Sequence, residues 1–337
     1  MESESYMSEA VSSQTTKRWT LRVLGEAGSN RRSVTIAYFF VLVLVAIGGA
    51  LAPGFVKPQS LMQQLVLASI LGVICIGQMA VILTGNIDLS VSWTMNLTSV
   101  IVTSITRGEN QSVGEAIAIA LLVAAAIGLF NGLGVAYLRL PSMVMTLGVN
   151  AMLQGVTLVL TGAQPKGNAP EVVRWLIVGR VAGIPVSVIL WAILSIATIF
   201  VLSRTVFGRS LYAGGSNQIA TYLSGIRMQR SLILAFVISA VCSGLGGILL
   251  CGYGGQSYLS MGETYQMPAI AAVVVGGTSI LGGSGTYVGV IAGAIILVLL
   301  QNVLSLAHVK YAGQLIIYGI AILAMLFVYG RQSTDRE

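Results

Sequence analysis

Charge is what this chain is short of. Only 9% of its 337 residues are Asp, Glu, Lys or Arg, and just 11 are acidic. A soluble domain carries about a quarter charged residues, so the two soluble domains that the length alone would allow are excluded. Histidine occurs once and cysteine three times. Cys75, Cys242 and Cys251 all fall within apolar runs, with neither metal-ligand spacing nor a pairing logic, and read as buried packing. The chain lacks the aromatic-basic interleaving that single-strand binders use, so its net charge of +7 does not point to nucleic acid. It also lacks a Gly-x-x-x-x-Gly-Lys-Ser/Thr stretch, and so has no P-loop with which to cradle ATP phosphates. No metal site is expected.

What is abundant is apolar sequence, at 55% of the chain with a mean hydropathy of +0.88. Helices of roughly 17 to 25 apolar residues span a bilayer core. Such runs are expected at 34–52, 61–83, 90–106, 113–137, 143–161, 183–203, 231–252, 267–281, 287–306 and 313–329. The third and eighth are short or interrupted. The expectation is an all-α polytopic membrane protein with about ten transmembrane helices. Residues 1–33 form a polar, Ser-rich tail and 331–337 a second one. Between them lies a single membrane domain, 34–330, with no secretory signal before it. Twelve of the 18 basic residues fall in segments that place both termini in the cytoplasm, the side that retains Lys and Arg.

The polar loop GAQPKGNAPEVVRW, from Gly162 to Trp175, divides the domain into halves of about 34–161 and 183–330. Five crossings per half would give the second half the opposite orientation, the arithmetic of inverted repeats. Gly282, Gly285, Gly289 and Gly293 recur at spacings of three and four and are expected to share one helix face for close packing. Gly128 and Gly132 form a second small pair.

Two polar stretches stand out. LTGNIDLSVSWTMNL, Leu83 to Leu97, holds Asp88, the only acidic residue between Glu26 and Glu109. Asp88 reads either as an N-cap for the third helix or as a pathway or gate residue. Asn86 and Ser90 share its stretch. Asn150 and Gln154, four apart on the fifth helix, either contact a solute or tie helices together. The second stretch is FGRSLYAGGSNQIATYLSGIRMQRS, within a loop at 204–230. Ser216 or Asn217 can cap a short helix there and Gly225 can end it. Its stripe of Ile219, Tyr222 and Leu223 must dock on the protein's own surface, on lipid headgroups or on a partner, because two turns are not stable alone.

GRSLYAGGSNQIATYLSGI resembles the coupling-loop signature of bacterial ATP-binding-cassette (ABC) permeases for ribose, galactose, arabinose and xylose. TGNIDLSVS, LRLPSMVMTLG from Leu138, IAAVVVGGTSILGGSGTYVGVIAGAIIL from Ile270 and GLFNGLGVAYL from Gly128 resemble further signatures of that family in the same order. Related permeases import autoinducer-2. The resemblance implies a permease subunit in the bacterial inner membrane, importing a pentose or hexose and binding no cofactor itself. A separate cytoplasmic ATPase would use ATP-Mg and act on residues 208–226. Gly208, Arg209, Gly215, Ser216, Asn217, Ala220, Leu223, Ser224 and Gly225 would carry the coupling. A periplasmic binding protein would deliver substrate to loops 162–182 and 253–266. A second copy, or a related permease, would complete the pathway within the lipid.

The sequence departs from the family at several positions. Asn86 stands where a second glycine is common, and Ser92-Trp93 where Gly-Ser is. Asn217-Gln218-Ile219 replaces Asn-Pro-Glu, losing a helix-starting proline and an N-terminal carboxylate. Met145 replaces a smaller residue. Two rival functions meet obstacles in the sequence. In an intramembrane serine protease Ser284 would need His308, yet a whole helix, about 30 Å, separates them. In an ion-coupled transporter Asp88 would be a cation site, yet no charged partner lies in the neighbouring helices.

Overall fold

The computed structural model describes residues 34–164, 167–310, 312–320 and 323. The two expected tails and the end of the second half lie outside these residues. Among the described residues there are thirteen α-helices, and seven of them are long and apolar enough to cross a membrane. The chain is an all-α, multi-pass membrane protein.

Helix α1 (Val34–Leu51) leads through a 3-10 turn into α2 (Pro58–Ile82), where Pro58 occupies the first helical turn that needs no N–H. There follow α3 (Val91–Thr106), α4 (Val113–Ala136) and α5 (Ser142–Thr161). The loop after α5 is more ordered than its polarity suggests. It contains α6 (Glu171–Val178), which buries Val173 and Ile177, and a hairpin of β1 (Arg180–Val181) with β2 (Ile184–Pro185). Then come α7 (Val186–Arg204), α8 (Val206–Ser216), α9 (Gln218–Leu223), α10 (Met228–Gly254), α11 (Glu263–Val275), α12 (Tyr287–Leu306) and α13 (312–320).

Helix α10 is the hub, packed against α2, α3, α4 and α6. Missing β-carbons bring the backbones together, as small residues do in membrane bundles. A methyl on Gly132 of α4 would sit 2.7 Å from Ile233 Cα of α10, and one on Gly247 of α10 would lie 2.7 Å from Met95 Cα of α3. Gly289 and Gly293 of α12 lie against Gly276 and Ala272 of α11. The expected four-glycine face is corrected at its other end. Gly282 and Gly285 precede α12, with φ of 90° and 148°, so only two of the four glycines belong to the helix. Among polar groups in the core, Trp191 Nε1 donates to the Tyr287 hydroxyl at 3.1 Å, which donates to Gly72 O at 2.9 Å.

Two family departures have packing explanations. Trp93 is buried with Leu97, Ile127, Val149 and Leu153, filling the space between α3, α4 and α5. Met145 lies over Gly134 of α4, where a β-carbon would be 2.6 Å from its methyl.

Helices α3 and α11 have 16 and 13 residues, short of the roughly 20 that a crossing takes. Helix α11 starts earlier than the apolar run at 267–281 and ends earlier too. Glu263 suits its first turn, and the chain leaves the helix at Gly276–Gly277.

Candidate functional site

Three polar regions follow from this frame. The first surrounds Asp88. Helix α2 closes in a Schellman motif: Gly85 at φ 76° donates to Ile82 O and Asn86 N to Val81 O. Asn86 Nδ2 turns back to Thr84 Oγ1 at 3.0 Å. The chain then runs extended, and side chains of α5 take up its N–H groups. Ile87 N donates to Ser142 Oγ at 3.3 Å and Leu89 N to Thr146 Oγ1 at 2.9 Å. An irregular buried backbone is thus satisfied by a neighbouring helix.

Asp88 is 1% exposed. Its Oδ1 accepts from Ser90 N at 2.9 Å and Ser90 Oγ at 2.6 Å, and its Oδ2 accepts from Ser239 Oγ of α10 at 2.7 Å. Asn131 of α4 donates to Ser90 Oγ at 2.9 Å. The N-cap position of α3 belongs to Ser90, whose side chain makes no capping bond. Asp88, two residues earlier, takes the Ser90 N–H instead. It joins the start of α3 to the middle of α10, since Ser239 lies about 17 Å from the Met228 end of that helix at 1.5 Å per residue.

The second region lies where the N-terminal ends of the two short helices meet. Ser92 Oγ lies 3.0 Å from Asn150 Oδ1 and 3.1 Å from Gln266 Oε1, so its one hydroxyl proton is shared between α5 and α11. Trp93 N also donates to Asn150 Oδ1, and Gln266 Nε2 donates to Leu89 O. Gly262 N donates to Asn96 Oδ1 at 3.0 Å. Asn150 and Gln266 are half-buried and Gln154 is exposed on α5, so of the pair Asn150 is the one that ties α5 to α3. Asn131, Ser239 and Gln266 belong to these clusters but are not singled out by the sequence, where Ser92 stands out only as a departure from the family signature. Asn131 lies within GLFNGLGVAYL, the one signal that pointed to it.

The third region is the 204–230 loop, which holds two helices rather than one. Thr205 Oγ1 accepts from Gly208 N and so caps α8. The glycines that give α8 a loop-like sequence are there for proximity: β-carbons on Gly208, Gly214 and Gly215 would overlap Leu202, Met228 and Leu83. Asn217 Oδ1 accepts from Ala220 N at 2.9 Å and caps α9. A Schellman motif ends α9, with Gly225 N donating to Tyr222 O and Ile226 N to Thr221 O; Ser224 holds the C-cap position. The six residues are thus capped at both ends without the proline and glutamate. Thr221 faces inward at 4% exposure, while Ile219, Tyr222 and Leu223 are 75%, 75% and 78% exposed. Among the described residues, none covers that stripe. Arg209 is also exposed and its guanidinium reaches Arg204 O.

Helix α7, about 28 Å long, separates this end from the hairpin end. There a cavity of about 650 Å³ is lined by Thr103, Arg107, Asn168, Gln256 and Ser257 among others. Those residues bring the end of α3 together with the 162–182 and 253–266 loops.

A family model described as "Branched-chain amino acid transport system / permease component" matches residues 60–328. Ribose import permease protein RbsC of Escherichia coli (strain K12) is 35% identical over 311 residues, covering 89% of this chain and 97% of that protein. D-allose transport system permease protein AlsC of the same organism is 32% identical over 289 residues, covering 85% and 88%. Autoinducer 2 import system permease protein LsrC of Enterobacter sp. (strain 638) is 33% identical over 297 residues, covering 88% and 86%. No solved structure matches the chain.

Proposed function

The chain belongs to this family of importer permeases, and from that premise we propose that it is the membrane subunit of an ABC importer for a sugar of the pentose or hexose class. The observation that carries the reading is the agreement of near-full-length similarity to ribose and allose permeases with an exposed, doubly capped α9. A capped helix with a bare apolar stripe suits a groove in a partner, here a cytoplasmic ATPase that supplies ATP-Mg hydrolysis. Family membership also favours this reading over ion coupling, and hydroxyls rather than charged groups surround Asp88.

Ten crossings in two inverted halves remain the architecture we favour. The two short helices, α3 and α11, are the third of each five, and their N-terminal ends meet at Ser92, Gln266, Asn96 and Gly262. Short helices at corresponding positions of two halves point to a solute site between them. The pathway would pass Asp88, Ser90, Ser92, Asn150 and Gln266, with Asn86 and Gln154 at its margins. A second copy or a related permease would cover α5, whose Val144, Leu147, Val156 and Val159 are exposed. Family membership supports a place in the inner membrane and the excess of Lys and Arg on one side favours cytoplasmic termini, and the cavity at the hairpin end would face the periplasmic binding protein.

The similarity to an autoinducer 2 permease favours a second substrate reading within the same machine. One experiment tests both: copurify the permease with its genomically neighbouring ATPase and binding protein, then screen that binding protein against pentoses, hexoses and autoinducer-2. An ATPase that does not associate would overturn the ABC reading. A binding protein that takes autoinducer-2 and no sugar would replace the substrate class.

A further inference from the structure

Three distant segments meet backbone to backbone beside α8. They are the end of α2 at Leu83–Gly85, the end of α8 at Gly215–Ser216, and the loop before α12 at Gly282–Gly283. Gly283 N donates to Leu83 O at 3.0 Å, and Ser216 Oγ donates to Gly283 O at 3.3 Å. Tyr212, one turn back on α8, donates to Gly285 O at 2.9 Å. No side chain fits between these segments. A β-carbon on Gly215 would overlap Leu83 O and Gly283 N, and one on Gly282 would lie 2.7 Å from Gly85 N and 3.1 Å from Gly215 Cα.

We infer that this glycine junction is the element through which displacement of α8 and α9 reaches the Asp88 stretch, with Gly215 as its positioning residue. The inference rests on the reading of α9 as the ATPase contact. Asn217 joins α9 to α8 without a spacer, and α8 ends on Leu83. Only four residues separate Leu83 from Asp88, which is bonded to Ser239 of α10. Coupling between distant sites needs a contiguous packed network with two arrangements. Side-chain contacts can absorb a small shift by changing rotamer, whereas a backbone-to-backbone contact with a shared hydrogen bond has no such slack. The same stretch is stitched to α5 through Ser142 and Thr146, so a shift at Leu83 moves the polar lining of two helices. The GGSG loop, which carries Ser284, becomes the third wall of this junction.

The test uses the full complex of permease, ATPase and binding protein in proteoliposomes. An Asn86→Cys reporter is labelled with a maleimide, and the parent protein serves as blank for the three native cysteines. In the reporter protein the labelling rate should change at least three-fold between the nucleotide-free and ATP-trapped states. Adding Gly215→Ala should remove that difference and lower uptake at least ten-fold, while the ATPase still copurifies, because the α9 stripe is untouched. A Gly215→Ala complex whose reporter still responds to ATP and which transports normally would overturn the junction. If Gly215→Ala does not fold, Ser216→Ala removes only the bond to Gly283. It should reduce the labelling difference and uptake by two- to five-fold at unchanged melting temperature, and an unaltered response would again overturn the proposal. Loss of the ATPase from the complex with an intact junction would instead refute the docking reading itself.

Discussion

Ser239 donates its hydroxyl proton to Asp88 Oδ2 at 2.7 Å across 151 residues of sequence. That bond fixes an extended, membrane-buried segment to the hub helix of the bundle. A carboxylate there accepts three hydrogen bonds, from Ser90 N, Ser90 Oγ and Ser239 Oγ, which is more than an amide oxygen in the same place would readily take.

Replacing Asp88 therefore separates shape from charge. Asp88→Ala leaves three buried donors without their acceptor, at about 1–3 kcal/mol for each group, and should lower the melting temperature of the purified permease clearly. Asp88→Asn keeps an oxygen for Ser90 and presents an N–H to the Ser239 oxygen, so it should melt close to the parent. Its uptake should nevertheless fall at least ten-fold in vesicles. Normal uptake by Asp88→Asn would remove the negative charge from the mechanism.

The sequence made the apolar helices legible because each is a long run whose length is set by the bilayer. The ends of α9 were legible as well, because Asn217 and Gly225 act locally. Partners from distant segments were not. Ser239 is one small polar residue in an apolar run, and nothing near it points to Asp88. Spacing assigned Gly282 and Gly285 to a helix face, but their positive φ serves a turn against Leu83 and Gly215. Helix α8 was missed because three glycines weaken its helical signal, although each permits a close approach. Helix α6 is hidden in a polar loop, because of its eight residues only Val173 and Ile177 are buried.

Orientation is open to a direct check. Gly167, in the loop after α5, has no room for a cysteine, since a β-carbon there would come 2.8 Å from Thr103 O. Val181 in the hairpin and Ser224 after α9 are exposed alternatives. Val181→Cys should react with an impermeant thiol reagent added to intact cells, and Ser224→Cys only after the membrane is opened. The reverse pattern would invert the topology and remove the ATPase from α9.

Helix packing gives a prediction of opposite signs. At Gly132 an added methyl meets the Ile233 backbone of α10, and overpacking costs typically about 1–3 kcal/mol. At Gly114, near the start of α4, nothing lies within 4 Å. Gly132→Ala should lower the melting temperature in detergent. Gly114→Ala should hold or raise it, since alanine is favoured over glycine in a helix by about 0.5–1 kcal/mol. Equal effects of the two would show that the α4–α10 approach does not depend on Gly132.

The last prediction concerns Leu223. It is 78% exposed, so no part of the described bundle needs it, and Leu223→Asp should leave the melting temperature of the isolated permease unchanged. If the stripe seats in an ATPase groove, the new carboxylate must either be desolvated without a partner, at several kcal/mol, or hold the groove open. Each ~1.4 kcal/mol is a factor of ten in affinity, so binding of the ATPase should weaken at least about 100-fold. Copurification and substrate-stimulated ATP hydrolysis should then be lost together. Thr221→Asp is the matching control on the inward side of α9: Thr221 is buried and donates to Asn217 O at 2.7 Å, so this change should disturb the segment's own packing. A complex that keeps its ATPase with Leu223→Asp, at normal stability, would take the stripe out of the interface. The bare helix would then have to rest on something other than the ATPase, and lipid headgroups are the surface next to be tested.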